Sequence, residues 1–251
     1  MSFLSLLSIL TLGLAVGLIS TIFGLGGGIL MVPTLTMITP FSHVEAIGTS
    51  LTTVVLVTVW NTWRYHRRGL VIWKTVFGII TGSMICSALS AYIATFLPEK
   101  FLIAFMLLFL LFLAWKTFGI REIKPGSKKA GALAAFGIGS LSGTVAGLVG
   151  IGGGGITTPL ILITGLAENR SAAPTSNAVM LFTAGAGALT YASRGIIGTT
   201  QLQYSLLIAS GAILSSFIGV RINHHLGIRP RRLMLGIILL LISLRLAWQL
   251  V

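Results

Sequence analysis

The sequence predicts an all-α polytopic membrane protein. It is built as two inverted repeats of about five helical segments, each with a glycine-broken or re-entrant helix pair. Three observations predict this. Of 251 residues, 55% are hydrophobic and only 8% are charged, against about 25% charged in a soluble domain. The stretch "GLGGGILMVP" (Gly24 to Pro33) returns 126 positions further on as "GIGGGGITTP" (Gly150 to Pro159), with glycine at the same four places and proline at the tenth. Finally, the basic loops change places between the halves, as equivalent loops on opposite membrane faces would. The apolar runs are too continuous for the alternation of a membrane barrel. Helices satisfy their own backbone polar groups, as the bilayer requires.

The apolar segments fall at about 3–23, 25–38, 44–63, 70–96, 99–118, 130–149, 152–166, 171–193, 201–223 and 230–250. The first lacks the basic start of a signal peptide. Its Gly13 and Gly17 match Gly139 and Gly143 of the sixth segment, so it is read as part of the repeat and of the mature protein. Glycines spaced four apart in these two segments are helix-contact faces. The second and seventh segments are short, reaching only roughly 20–23 Å against a hydrocarbon core of about 30 Å. Each starts at a glycine cluster and contains a proline, Pro33 or Pro159. That is the pattern of a broken helix or a re-entrant hairpin.

The third and eighth segments carry matched polar starts. Ala46, Thr49 and Ser50 in "AIGTS" pair with Ala172, Thr175 and Ser176 in "AAPTS". At their far ends Tyr65, Arg68 and Gly69 pair with Tyr191, Arg194 and Gly195. Beyond this point the register slips by three, so that Gly82 of the fourth segment corresponds to Gly211 of the ninth. The fifth and tenth segments are near-pure apolar runs, "FLIAFMLLFLLFLAW" and "LMLGIILLLISL". These matches divide the chain into a first repeat over 1–118, a basic cytoplasmic linker over 119–129 and a second repeat over 130–251.

Charge sets the orientation. The 64–74 loop holds Arg64, Arg67, Arg68 and Lys74, whereas its counterpart near 190–200 holds only Arg194. The 97–100 loop is balanced by Glu99 and Lys100, but its counterpart at 221–232 holds Arg221, Arg229, Arg231 and Arg232. Both basic loops and the linker are placed in the cytoplasm and both termini outside. The net charge of +13 is explained by these loops, with no nucleic-acid partner. Cys86 is the single cysteine and there is no Asp, so neither a disulfide nor a cysteine cluster for metal is available. His224-His225 has no carboxylate partner. No cofactor is expected and no oligomeric state is specified.

Inverted repeats with interrupted helices point to a secondary transporter whose site lies near the midplane, with a passive anion channel as the alternative. Contiguous glycines leave amides uncovered, and a helix beginning there presents its positive end to an anion. Gly26, Gly27 and Gly28 with Gly152, Gly153 and Gly154 are therefore candidate substrate-binding residues. An ATP loop is excluded, because no Lys-Ser or Lys-Thr follows and no Walker-B carboxylate exists. Thr49, Ser50, Thr175 and Ser176 either cap helices or donate to the anion, and Asn177 adds an amide in the second half only. Tyr65 and Tyr191 are read as interface anchors. Arg194, on the less basic face, could draw an anion to the entrance. Glu45 is the one carboxylate near the candidate site and the candidate for proton coupling. No paired carboxylates, Ser/His pair or HExxH supports an enzyme.

The double glycine motif, each copy followed by "GTS" or "PTS" and then Tyr-x-x-x-Gly, resembles the TauE/SafE sulfite-exporter family. The resemblance spans nearly the whole chain. It implies secondary transport of small anions such as sulfite, sulfonates including sulfoacetate, and related sulfur compounds across a cell membrane. The second half departs from the first where Pro174 replaces Gly48 and Asn177 replaces Leu51. Both halves therefore need not bind alike.

Overall fold

The computed structural model describes residues 3–23, 28–119, 131–225 and 228–250. The predicted linker lies almost wholly outside them. Among the described residues the chain forms ten helices and no strand: α1 (Phe3–Phe23), α2 (Gly28–Ile38), α3 (His43–Arg67), α4 (Trp73–Ala94), α5 (Glu99–Gly119), α6 (Ala132–Val149), α7 (Gly154–Ile163), α8 (Asn169–Ser193), α9 (Thr199–His225) and α10 (Ile228–Leu250). Each matches one predicted segment. Three of them, α3, α4 and α6, are long and apolar enough to cross a membrane by length and composition. Bulky apolar side chains stand outward, with Leu133 86% and Trp115 74% exposed, while Thr49, Ser50, Ser87, Ser142 and Thr183 are fully buried. Water would not tolerate that outer surface, but lipid does. The chain is an all-α polytopic membrane protein.

Glycine decides which helices touch. A Cβ added at Gly13 would stand 2.5 Å from the Ile208 carbonyl, and one at Gly17 would collide with Ala212, so α1 lies against α9. At the equivalent positions, Cβ atoms on Gly139 and Gly143 would collide with Ile79 and Ser83, so α6 lies against α4. In both pairs residue numbers rise together, and the partners run parallel. With no hydrophobic drive between helices in lipid, this close backbone approach is what holds them.

The centre is made by α3 and α8. Gly48 faces Tyr191, Leu51 faces Gly187, and the Thr62 hydroxyl reaches Asn177 Oδ1 at 3.4 Å. Here numbers rise on one helix as they fall on the other, so α3 and its repeat counterpart α8 run antiparallel. By contrast α3 runs parallel to α9, through Glu45 with Gln201 and Thr49 with Ser205. In the same way α4 runs parallel to α8, through Ile72 with Thr175 and Ser83 with Thr183.

Helix ends follow local chemistry. Ser42 and Glu45 form a full capping box at the start of α3, satisfying two orphan donors reciprocally. The predicted fourth segment begins three residues too early, because residues 70–72 are not helical; the Ile72 N–H is taken by the Thr175 hydroxyl at 3.1 Å rather than by a helix. The two short helices are shorter than predicted, 11 and 10 residues, or about 15–17 Å at 1.5 Å per residue. Neither could cross the hydrocarbon core alone.

Candidate functional site

The second glycine cluster forms a tight, buried turn. Gly150 ends α6 in the left-handed region (φ +77°) with its N–H on the Ala146 carbonyl at 2.9 Å. Gly152 and Gly153 follow at φ +75° and +85°, and α7 begins at Gly154. Side chains rarely adopt such a run of left-handed residues. The N–H groups of Ile156 and Thr157 fold onto the Gly153 carbonyl at 3.1 and 3.0 Å. Those of Gly154 and Gly155 precede the first intrahelical bond and are donors left over at the helix start.

This turn sits against the middle of both long central helices. A Cβ on Gly152 would lie 2.8 Å from Val54 of α3 and 3.2 Å from Met180 of α8. Val54 and Met180 stand 126 positions apart, the offset at which the two glycine motifs match. The start of α2 arrives at the same place: a Cβ on Gly28 would lie 2.6 Å from the Gly150 carbonyl oxygen and 2.7 Å from Ile151 Cα. Both short helices therefore begin at the buried centre, where the partial positive ends of their dipoles converge.

Of the residues singled out from sequence, Gly28, Ser50, Gly152, Gly153 and Gly154 meet here; Gly26 and Gly27 lie outside the described residues. The Ser50 hydroxyl donates to the Gly150 carbonyl at 2.7 Å, tying α3 to the break of the other half. Thr49 is turned away, its hydroxyl on the Glu45 carbonyl at 2.7 Å. Thr175 holds the entry to α4, and Asn177 meets Thr62. Ser176, one turn before Met180, is buried with no hydrogen-bond partner.

Glu45 and Arg194 lie apart from the break, where the start of α3 adjoins the end of α8. The Glu45 carboxylate accepts from the Ser42 N–H (2.8 Å) and hydroxyl (2.9 Å) and from Gln201 Nε2 (2.7 Å). Arg194 is exposed and stacks over Tyr92 and Phe96 at 5.2 and 4.8 Å. Tyr191 differs from its sequence reading as an interface anchor. It is fully buried and donates to the Gly147 carbonyl at 2.7 Å, a last-turn carbonyl of α6 that needs a donor. Sequence reasoning also passed over Val54 and Met180; their matched spacing at offset 126 was the available signal, hidden because their residue types differ.

A family profile described as Sulfite exporter TauE/SafE matches residues 9–246. The chain belongs to the TauE/SafE family. It is 28% identical to a protein of Methanocaldococcus jannaschii over 94% of each chain, and 26% identical to one of Bacillus subtilis over 98% of each. A protein of Haemophilus influenzae is 27% identical over 97% of this chain and 96% of its own. All three are named "probable membrane transporter protein". No solved structure matches. The TauE/SafE match runs across both glycine motifs and all the helices that meet at the break.

Proposed function

We propose that this TauE/SafE chain is a secondary transporter, working as an exporter, of small sulfur-containing anions such as sulfite, sulfonates or sulfoacetate. One observation carries the reading: two glycine-initiated half-length helices start at the buried centre, against the midpoints of antiparallel counterpart helices. That is where inverted-repeat transporters place their substrate. The family description names sulfite export, and the relatives' names indicate membrane transport. The donors at the break are amides and hydroxyls. Oxyanion oxygens accept several such bonds, whereas a buried lysine would bind more tightly and hinder release.

In this reading the halves are inverted repeats in the cell membrane, with the 64–74 and 221–232 loops cytoplasmic and the termini outside. The antiparallel course of α3 and α8 supports the inversion. One half rocks against the other around the central break and exposes it to each side in turn. Protons are the proposed coupling ion, through Glu45. Its bond to Gln201 joins α3 to α9 of the other half, and protonation would remove the charge that strengthens this tie.

Isothermal calorimetry on purified protein with sulfite, sulfoacetate, sodium chloride and a neutral sugar tests the substrate class. Heat of binding with the two sulfur anions supports the reading. Heat with the sulfur anions no greater than with sodium chloride or the sugar contradicts it.

A further inference from the structure

The two repeats carry the same serine at the same position, and the structure uses the two differently. Ser50 and Ser176 are both fully buried, at 0% and 1% exposure. Ser50 donates to the Gly150 carbonyl at 2.7 Å across the boundary between halves. Among the described residues the Ser176 hydroxyl has no hydrogen-bond partner. A serine in a helix can always turn its hydroxyl to the carbonyl four residues back, as Ser205 does toward Gln201 and Thr183 does toward Val179. Ser176 forgoes even that bond.

A buried hydroxyl left unmade is costly, and in a native protein such a group needs an explanation. Two other buried hydroxyl oxygens lack partners, those of Ser140 and Thr158, but both residues are only half-buried. Of these three hydroxyls Ser176 is the fully buried one. Its position supplies the explanation. It lies one helical turn before Met180, on the same face of α8, and Met180 packs against Gly152 and Gly154 at the break. The unpartnered hydroxyl therefore lies one helical turn from the side chain that touches the break, where the Gly154 and Gly155 amides also precede the first intrahelical bond.

We infer that Ser176 is the hydroxyl that donates to a substrate oxygen, whereas Ser50 is a clasp that fixes the second glycine break and makes no substrate contact. This rests on the transporter reading and divides labour between two residues that the repeat makes equivalent. The break supplies backbone donors whose positions are set by the clasp, and Ser176 adds the side-chain donor. Such a site takes a small anion with several acceptor oxygens on one centre, as sulfite and sulfonates have.

The test combines calorimetry and thermal unfolding on the full-length protein, with sulfite and sulfoacetate as probes. Ser176→Ala should weaken binding of both anions about tenfold or more, the usual loss for a donor to a charged acceptor. In the absence of ligand it should unfold no lower than the parent, since it removes an unsatisfied group. Ser176→Thr keeps the hydroxyl and should bind within about threefold of the parent. Ser50→Ala should lower the unfolding temperature, with a smaller loss of affinity than Ser176→Ala. Unchanged affinity in Ser176→Ala overturns the inference. So does a fall in its unfolding temperature as large as that of Ser50→Ala, which would reveal an internal partner. If the parent protein binds neither anion, the transporter reading fails and takes this inference with it; if the parent binds and Ser176→Ala binds equally, only this inference fails.

Discussion

Gly153 shows how much a single residue decides at the break. Its φ of +85° is one that alanine adopts only at a cost of about 1–2 kcal/mol, and its Cβ would stand 2.9 Å from the Ser142 carbonyl oxygen. Gly153→Ala should therefore lower both the thermal stability and the sulfite affinity of the protein while membrane insertion persists. Equal affinity in the folded fraction would mean that the glycines only pack helices. Tyr191→Phe addresses a different residue-scale claim. Stripping the hydroxyl leaves the buried Gly147 carbonyl without its donor, at a cost of about 1–3 kcal/mol. A lower unfolding temperature with unaltered anion binding is expected, since Tyr191 is bonded to α6 and not to the break.

At the scale of elements, the connection between α3 and α9 is the one most open to test. Glu45 closes the capping box and holds Gln201 across the halves. Glu45→Ala removes both contacts and should destabilise the protein by about 1–2 kcal/mol through the cap alone. If Glu45 couples protons, Glu45→Gln should also abolish the dependence of sulfite flux on an imposed pH gradient; a retained dependence would assign coupling to another group. The elements themselves were legible in the sequence, because each apolar run is bounded by glycine, proline or charge. α3 outran its prediction at the C-terminal end, where Arg64 to Arg67 continue the helix although Arg64, His66 and Arg67 break the apolar run. The positions that join the halves were not legible. Nothing in "GTS" says that Ser50 reaches Gly150 while Thr49 folds back on Glu45, since both are one residue apart on a helix and differ only in the face they present. Offset-126 matching identified equivalent residues, but it could not reveal that Ser50 and Ser176 would be used unequally.

For the whole molecule, α3 and α8 run antiparallel, and the absolute orientation proposed above rests on the basic loops. Single cysteines introduced in a Cys86→Ser background test the latter. Arg68→Cys and Arg229→Cys should react with an impermeant maleimide only after the cells are opened, and labelling of position 229 in intact cells would contradict the inverted arrangement. The central claim is that the halves alternate around an anion held at the glycine break, and counterflow in proteoliposomes tests it most directly. Vesicles loaded with unlabelled sulfite should accumulate labelled sulfite transiently above equilibrium, because a carrier returns occupied faster than empty. Labelled sulfite that merely equilibrates, at a rate indifferent to sulfite on the far side, would show a passive pore and contradict alternating access.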